Sequence, residues 1–142
     1  MNVELIRVDD AFHFEAKGTS ESIVHIDAAE AVGGSNSGSR PMELLLMGVA
    51  GCSAIDVISI LKKQKQEITD FRISVGGERV KEENTERKPF NTIEIHFQIT
   101  GVNLDASKAE KAIKLSMEKY CSATAQFENS ASITHKLTVL EA

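Results

Sequence analysis

Residues 41–63, PMELLLMGVAGCSAIDVISILKK, decide the fold. The segment is apolar on nearly every side for about five helical turns, yet it carries Gly48, Gly51, Cys52 and Asp56. Proline suits the first position of a helix, and the two closing lysines complement the helix dipole. The pattern therefore predicts one helix from Pro41 to about Lys63. A helix apolar all round must be covered on every side, and one sheet of a 142-residue chain covers one face only. A second copy of the chain is the simplest cover for the other face. Gly48 and Gly51 would let that copy's backbone come close, at a cost of about 1 kcal/mol each relative to alanine. Residues 44–61 nearly match a membrane span in length, but Asp56, Ser53, Ser59 and the glycines interrupt them. A carboxylate in lipid is costly, so the expectation is the core helix of an obligate homodimer, with no membrane partner.

Before this helix, VELIRV, FHFEAK and SIVHI read as short strands, rich in β-formers and separated by DD and GTSES. GGSNSGS at 33–39 is the low-complexity stretch and should be mobile, having little to bury. After the helix, DFRISVGGERV and NTIEIHFQITG read as a hairpin joined by KEENTERK, six of whose eight residues are charged. In the second strand Ile93, Ile95, Phe97 and Ile99 alternate with Glu94, His96, Gln98 and Thr100. Such alternation marks a sheet with one buried face and one wet face. An amphipathic helix follows from about Asp105 to Tyr120, with SKAE at 107–110 resembling a capping box. CSATAQFENS then reads as a turn or short helix, and SITHKLTVLE as the last strand. The order βββ-α-ββ-α-β is an α+β class with mainly antiparallel sheets around a long central helix, organised as one domain over residues 1–142.

A net charge of -5 argues against a general nucleic-acid surface. The run LKKQK at 61–65 reads as a solvated helix end. MNVELIRVDD lacks the basic start and apolar run of a signal peptide. Two cysteines in such a chain suggest free thiols in a reducing, cytoplasmic setting.

Each cysteine taken alone reads as a small buried hydrophobe. Their contexts add something. Cys52 lies between Gly51 and Ser53 in a helix otherwise built of large side chains. Cys121 stands where an amphipathic helix gives way to a polar segment, a place where a thiol can be reached.

SRPMELLLMGVAGCSAID, residues 39–56, resembles the thiol-bearing helix of the OsmC/Ohr family of organic hydroperoxide reductases. KYCSATAQFENSASITHKLTV, residues 119–139, is similar to that family's second cysteine segment and closing strand. Element order, chain length and the 69-residue separation of the cysteines agree over essentially the whole chain. MELLLMGVAGCSAIDVISIL looks closest to a YhfA-like branch.

The resemblance implies an intertwined OsmC-like homodimer, its sheets wrapped around the central helices and its sites at the dimer interface. By carry-over Cys52 would be the peroxidatic thiol, attacking an organic hydroperoxide and becoming a sulfenic acid. Cys121 would be the resolving thiol, and a dithiol such as dihydrolipoamide would reduce the resulting disulfide. No metal, flavin or nicotinamide cofactor is implied. Met42, Leu46, Met47 and Phe127 would line an apolar peroxide pocket.

Cys52 needs activation. It lies 11 residues past Pro41, too deep for the helix N-terminus to help, and an apolar setting raises a thiol's pKa. In the family, an arginine from the segment before the helix, held by a glutamate, supplies the charge. Residues 9–33 contain no arginine, and the family's glutamate position falls on Met42 with Glu43 one place later. Arg40, with Glu43, is the expected substitute; Arg7 and Lys17 are weaker options, since lysine lacks arginine's forked geometry.

Other groups read as structural. His13, His25, His96 and His135 fall in separate strands with no two at ligand spacing, so surface or interface histidines are expected rather than a zinc site. Asp56, one turn after Cys52, is expected to face a backbone N–H or a lysine. Gly33 and Gly34 have no lysine at phosphate-loop spacing. Two readings of function stay open: a thiol peroxidase, and a non-peroxidatic dimer on the same fold acting as a redox sensor or small-ligand binder. A structural disulfide between Cys52 and Cys121, which would contribute about 4 kcal/mol by loop entropy, fits a reducing setting least.

Overall fold

Pro41 opens a helix that runs unbroken to Lys63, as expected. In this computed structural model, which describes residues Met1–Ala142, that helix is α1. The elements around it are β1 (Glu4–Arg7), β2 (Phe14–Lys17), β3 (Ile23–Ile26), β4 (Glu67–Arg79), β5 (Phe90–Val102), α2 (Ala106–Leu115), α3 (Ser122–Ala125) and β6 (Ser132–Glu141). At the start of α1 the Glu43 carboxylate accepts the Arg40 backbone N–H at 3.0 Å, one half of a capping box. At its end Lys65 takes a left-handed φ of 56°. The Lys65 N–H reaches the Lys62 carbonyl and the Gln66 N–H the Leu61 carbonyl, both at 3.0 Å. This is a Schellman closure, a position where glycine is usual.

Within one chain α1 is not covered all round. Val49, Ser53, Val57 and Leu61 form its buried stripe, while Met47 and Ile55 remain 53% and 71% exposed. The helix is long and apolar enough to cross a bilayer, with a mean hydropathy of 2.2 over its most apolar window, of which 22% is buried. A Cβ added to Gly48 or Gly51 would meet nothing within 4 Å. The second face, which the sequence requires to be covered, is open in the single chain.

The chain forms two compact units, Met1–Leu45 and Leu46–Ala142, with the boundary inside α1. The first holds an antiparallel meander in the order β1-β2-β3. Its one fully buried side chain is polar, Asp27, while apolar residues such as Leu5, Ile6, Phe12 and Ile23 are about half exposed. The 33–39 loop, expected to be mobile, is tied down instead. The Asp27 carboxylate accepts the N–H groups of Ala28, Ser35 and Ser37 at 2.7, 3.0 and 3.0 Å. Gly38 sits so close to β3 that a Cβ there would lie 2.5 Å from the His25 carbonyl. The loop's glycines and small polar residues therefore serve close backbone approach and not flexibility.

In the second unit the sheet order is β4-β5-β6. β4 and β5 form the expected antiparallel hairpin, and the alternation holds, since Ile93, Ile95, Phe97 and Ile99 are all buried. β5 and β6 pair in parallel, which requires a crossover, and α2 lies on it. Asp105, not the SKAE tetrad, caps α2: its side chain accepts the N–H groups of Ser107 and Lys108 at 2.8 and 3.2 Å. Ala109, Ala112 and Ile113 form the buried face of α2. The helical path continues to Tyr120 as expected, but Ser116–Tyr120 is π-wound. The wider turn closes with the Cys121 N–H on the Ser116 carbonyl at 2.7 Å. The molecule is thus α+β, with three of its four strand pairings antiparallel.

Candidate functional site

Cys52 and Cys121, 69 positions apart in sequence, meet in the second unit. The two sulfurs and a carboxylate oxygen of Asp56 all lie within 4.8 Å of one another. Cys52 and Asp56 come from successive turns of α1. Cys121 is delivered by the π-wound turn, which ends on its N–H, and it caps the short helix α3. Local deviations of this kind concentrate at functional sites.

The surroundings of the two thiols differ. Cys121, expected where a thiol can be reached, is instead 3% exposed and enclosed in the chain, whereas Cys52 is half-buried. The Ser53 hydroxyl lies 3.4 Å from Cys121 Sγ, and the Thr124 N–H donates to the same sulfur at 3.4 Å. The Thr124 hydroxyl donates to the Cys121 carbonyl at 2.9 Å, fixing the turn. Burial works against charge on Cys121, but the donors from Ser53, Thr124 and the Cys52 thiol outweigh it and hold its pKa below the ordinary thiol value. Cys52 is pushed above that value, first by burial and then by the neighbouring Cys121 sulfur and the Asp56 carboxylate, with the Ala123 N–H in partial offset. A single negative charge shared by the pair therefore rests mainly on Cys121. Asp56, expected to meet a backbone N–H or a lysine, instead accepts its hydrogen bond from the Ser116 hydroxyl, at 3.2 Å.

The expected activating pair is built differently. Arg40 and Glu43 belong to the first unit. The Arg40 guanidinium donates to the Gly38 and Asp27 carbonyls at 2.9 and 3.4 Å and to the Asn36 side chain, so it fastens the loop before α1. Glu43 meets Arg40 through the backbone N–H and not the guanidinium. Arg7 is likewise engaged, by the Ala11 carbonyl at 3.0 Å. Of the expected pocket residues, Phe127 packs edge-on against Phe90 with ring centroids 6.4 Å apart. Leu46 and Phe90 both crowd the space over Gly77. Met47 is on the open face, and Met42 is half-buried in the first unit.

Several participants escaped the sequence reading. Ser53, Thr124 and Ser116 are ordinary polar residues until the fold aims them at sulfur or carboxylate. The Thr124 contact to sulfur is made by its backbone N–H, which carries no sequence signal of its own. The histidines are not all apart: His13 Nε2 and His25 Nδ1 are 2.9 Å from each other.

Residues 34–136 match the family model described as OsmC-like protein. The chain is 41% identical over 110 residues to protein YhfA of Escherichia coli K12, covering 75% of this chain and 80% of that one. The chain belongs to the OsmC-like family. Among solved structures, a protein of Aquifex aeolicus VF5 is 32% identical with a TM-score of 0.78, covering 97% of this chain and 96% of its own. The organic hydroperoxide resistance protein OhrB of Bacillus subtilis shares the fold, with a TM-score of 0.66 at 21% identity and 96% of each chain covered. An OsmC-like protein with two thiols side by side has the minimum equipment for reversible thiol–disulfide chemistry.

Proposed function

We propose that this protein reduces organic hydroperoxides through its cysteine pair, as a homodimer in a reducing compartment. The approach of Cys52 and Cys121 to within 4.8 Å carries the reading, supported by a fold neighbour that is itself an organic hydroperoxide resistance protein. Cys52 is the peroxidatic thiol because it is the more exposed of the two. It passes its proton to Cys121, and its sulfur attacks the terminal peroxide oxygen. The O–O bond breaks, the leaving alkoxide takes the proton from Cys121 to become the alcohol, and Cys52 becomes a sulfenic acid. Cys121, again a thiolate, then attacks that sulfur; hydroxide leaves as water and a disulfide forms. Two thiols and one hydroperoxide thus become a disulfide, an alcohol and water. An external dithiol of the dihydrolipoamide kind restores the pair by exchange and leaves as its own disulfide.

The homodimer follows from the surfaces left open. The first unit buries no apolar side chain fully, and α1 leaves Gly48, Gly51 and Ile55 uncovered. About 45 residues are too few to hold a core of their own. A second chain supplies the missing cover for such surfaces.

The donors on Cys121 favour a second reading of the order, in which Cys121 attacks first and Cys52 resolves. Reaction of each single variant with cumene hydroperoxide, followed by trapping of sulfenic acid with dimedone and mass spectrometry, separates the two. The adduct is expected on Cys52 in Cys121→Ser, with Cys52→Ser inert. An adduct only on Cys121 in Cys52→Ser would reverse the roles. No adduct on either would leave the redox sensor or ligand-binding dimer as the account of this fold.

A further inference from the structure

We infer that the reduced site is also a metal site: Cys52 Sγ, Cys121 Sγ and the Asp56 carboxylate together bind one thiophilic divalent cation of the zinc type. The inference needs only two reduced thiols and is independent of the peroxidase chemistry.

The carboxylate is the observation that calls for it. The Asp56 carboxylate oxygen lies within 4.8 Å of both sulfurs, one helical turn along α1 from Cys52, a placement that nucleophilic thiol chemistry does not require. The chain's ion pairs are all made by other acids, and the partner of Asp56 is the neutral Ser116 hydroxyl. Three groups that carry negative charge when bound to a metal thus converge with no ion pair made to Asp56, the nearest basic residue on its face of α1 being Lys63, which lines the same cavity. Two sulfurs and one carboxylate oxygen at this spacing are a donor set suited to a thiophilic cation.

The distances agree. Bonds of about 2.3 Å to sulfur and about 2.0 Å to oxygen in a tetrahedral zinc site place the ligand atoms about 3.5 to 3.8 Å from one another. The three ligand atoms here lie within 4.8 Å of each other before any side chain turns. Two ligands one turn apart on a helix and a third from a separate segment make a three-point site, leaving the fourth position for solvent or an external ligand. Ser116, donating to Asp56, is the outer hydrogen bond that would orient the carboxylate. Because both sulfurs bind the metal as thiolates, loading releases protons and withholds both thiols from peroxide. Oxidation to the disulfide removes two of the three ligands and expels the ion. The same pair would then report on oxidant and on metal, each state excluding the other.

The test is anaerobic titration of the reduced, chelator-stripped full-length protein with Co²⁺. One cobalt per chain is expected, with a sulfur-to-cobalt charge-transfer band in the near ultraviolet, tetrahedral visible bands, and loss of both on adding Zn²⁺. Cys52→Ser or Cys121→Ser should each diminish the charge-transfer band and abolish tight binding. Asp56→Asn, which keeps both thiols and nearly the same shape, should weaken Co²⁺ at least tenfold while its far-ultraviolet circular dichroism stays that of wild type. An absent charge-transfer band, a stoichiometry of one cobalt per two chains, or an Asp56→Asn affinity equal to wild type would each overturn the three-ligand site. None of these readings involves peroxide, so failure here and failure of the peroxidase reading are distinguishable.

Discussion

Replacing Ile55 should break the proposed homodimer. Ile55 sits mid-helix on the open face of α1 and is 71% exposed in a single chain. Burying an isoleucine side chain completely contributes about 1.5–3 kcal/mol. Covering the exposed 71% is therefore worth about 1–2 kcal/mol per chain, or about 2–4 kcal/mol for a two-fold interface that uses the residue twice. Ile55→Ala forfeits about three quarters of this, about 1.5–3 kcal/mol, so the dimer dissociation constant should rise about 10- to 150-fold. Ile55→Asp should do more, because covering it would take an unpaired carboxylate out of water. Sedimentation equilibrium across micromolar concentrations measures the constants. If separated chains unfold, the loss appears instead as an unfolding midpoint that falls on dilution more steeply than in wild type. A wild type that sediments as a monomer, or an Ile55→Asp dimer as tight as wild type, would refute the reasoning.

Other consequences follow from single contacts. The Asp27 carboxylate is held below the ordinary carboxylate range, chiefly by the Ser37 N–H, against burial, and also by the Ala28 and Ser35 N–H groups and nearby His13. Its contribution is present above the unfolded pKa and is lost as pH falls through the lower folded value. Protection of the Ser35 and Ser37 amides from hydrogen exchange should therefore persist to pH 4 and collapse only in stronger acid, and Asp27→Asn should lack that acid transition. Lys65→Gly should stabilise the protein by up to about 1 kcal/mol in urea unfolding, since glycine adopts the left-handed φ without penalty. In a Cys52→Ser background, Ser53→Ala should move the thiolate absorbance midpoint of Cys121 upward in pH, because a donor to its sulfur is gone; an unmoved midpoint would show that Ser53 does not donate.

The parts of the fold that sequence revealed are those where one residue type has one physical reason to be there. Pro41 can start a helix but not continue one, and α1 begins at it. Ile93 through Ile99 alternate because the sheet has one buried face, and all four apolar members are buried. The site was legible as two cysteine segments, and the fold brings both thiols together. What sequence concealed depends on long-range placement. A run of glycine and serine has the composition of a flexible linker, and only Asp27, buried and aimed at its N–H groups, makes it a fixed loop. No hydrophobic period distinguishes a parallel β6 from an antiparallel one. The π-wound turn before Cys121 is a single turn at the end of a helix, too short for a hydrophobic period to register. Arg40 has the chemistry of an activating cation, but its guanidinium is committed to the carbonyls of its own loop.

The most direct test is stoichiometric. Reduced wild-type protein receives one equivalent of cumene hydroperoxide per chain, and free thiols and cumyl alcohol are counted over seconds. Cysteine-pair reduction predicts loss of two thiols for each alcohol formed, complete within that time, with both thiols returned by reduced dihydrolipoamide. Two thiols still free after minutes, with no alcohol released, would contradict it.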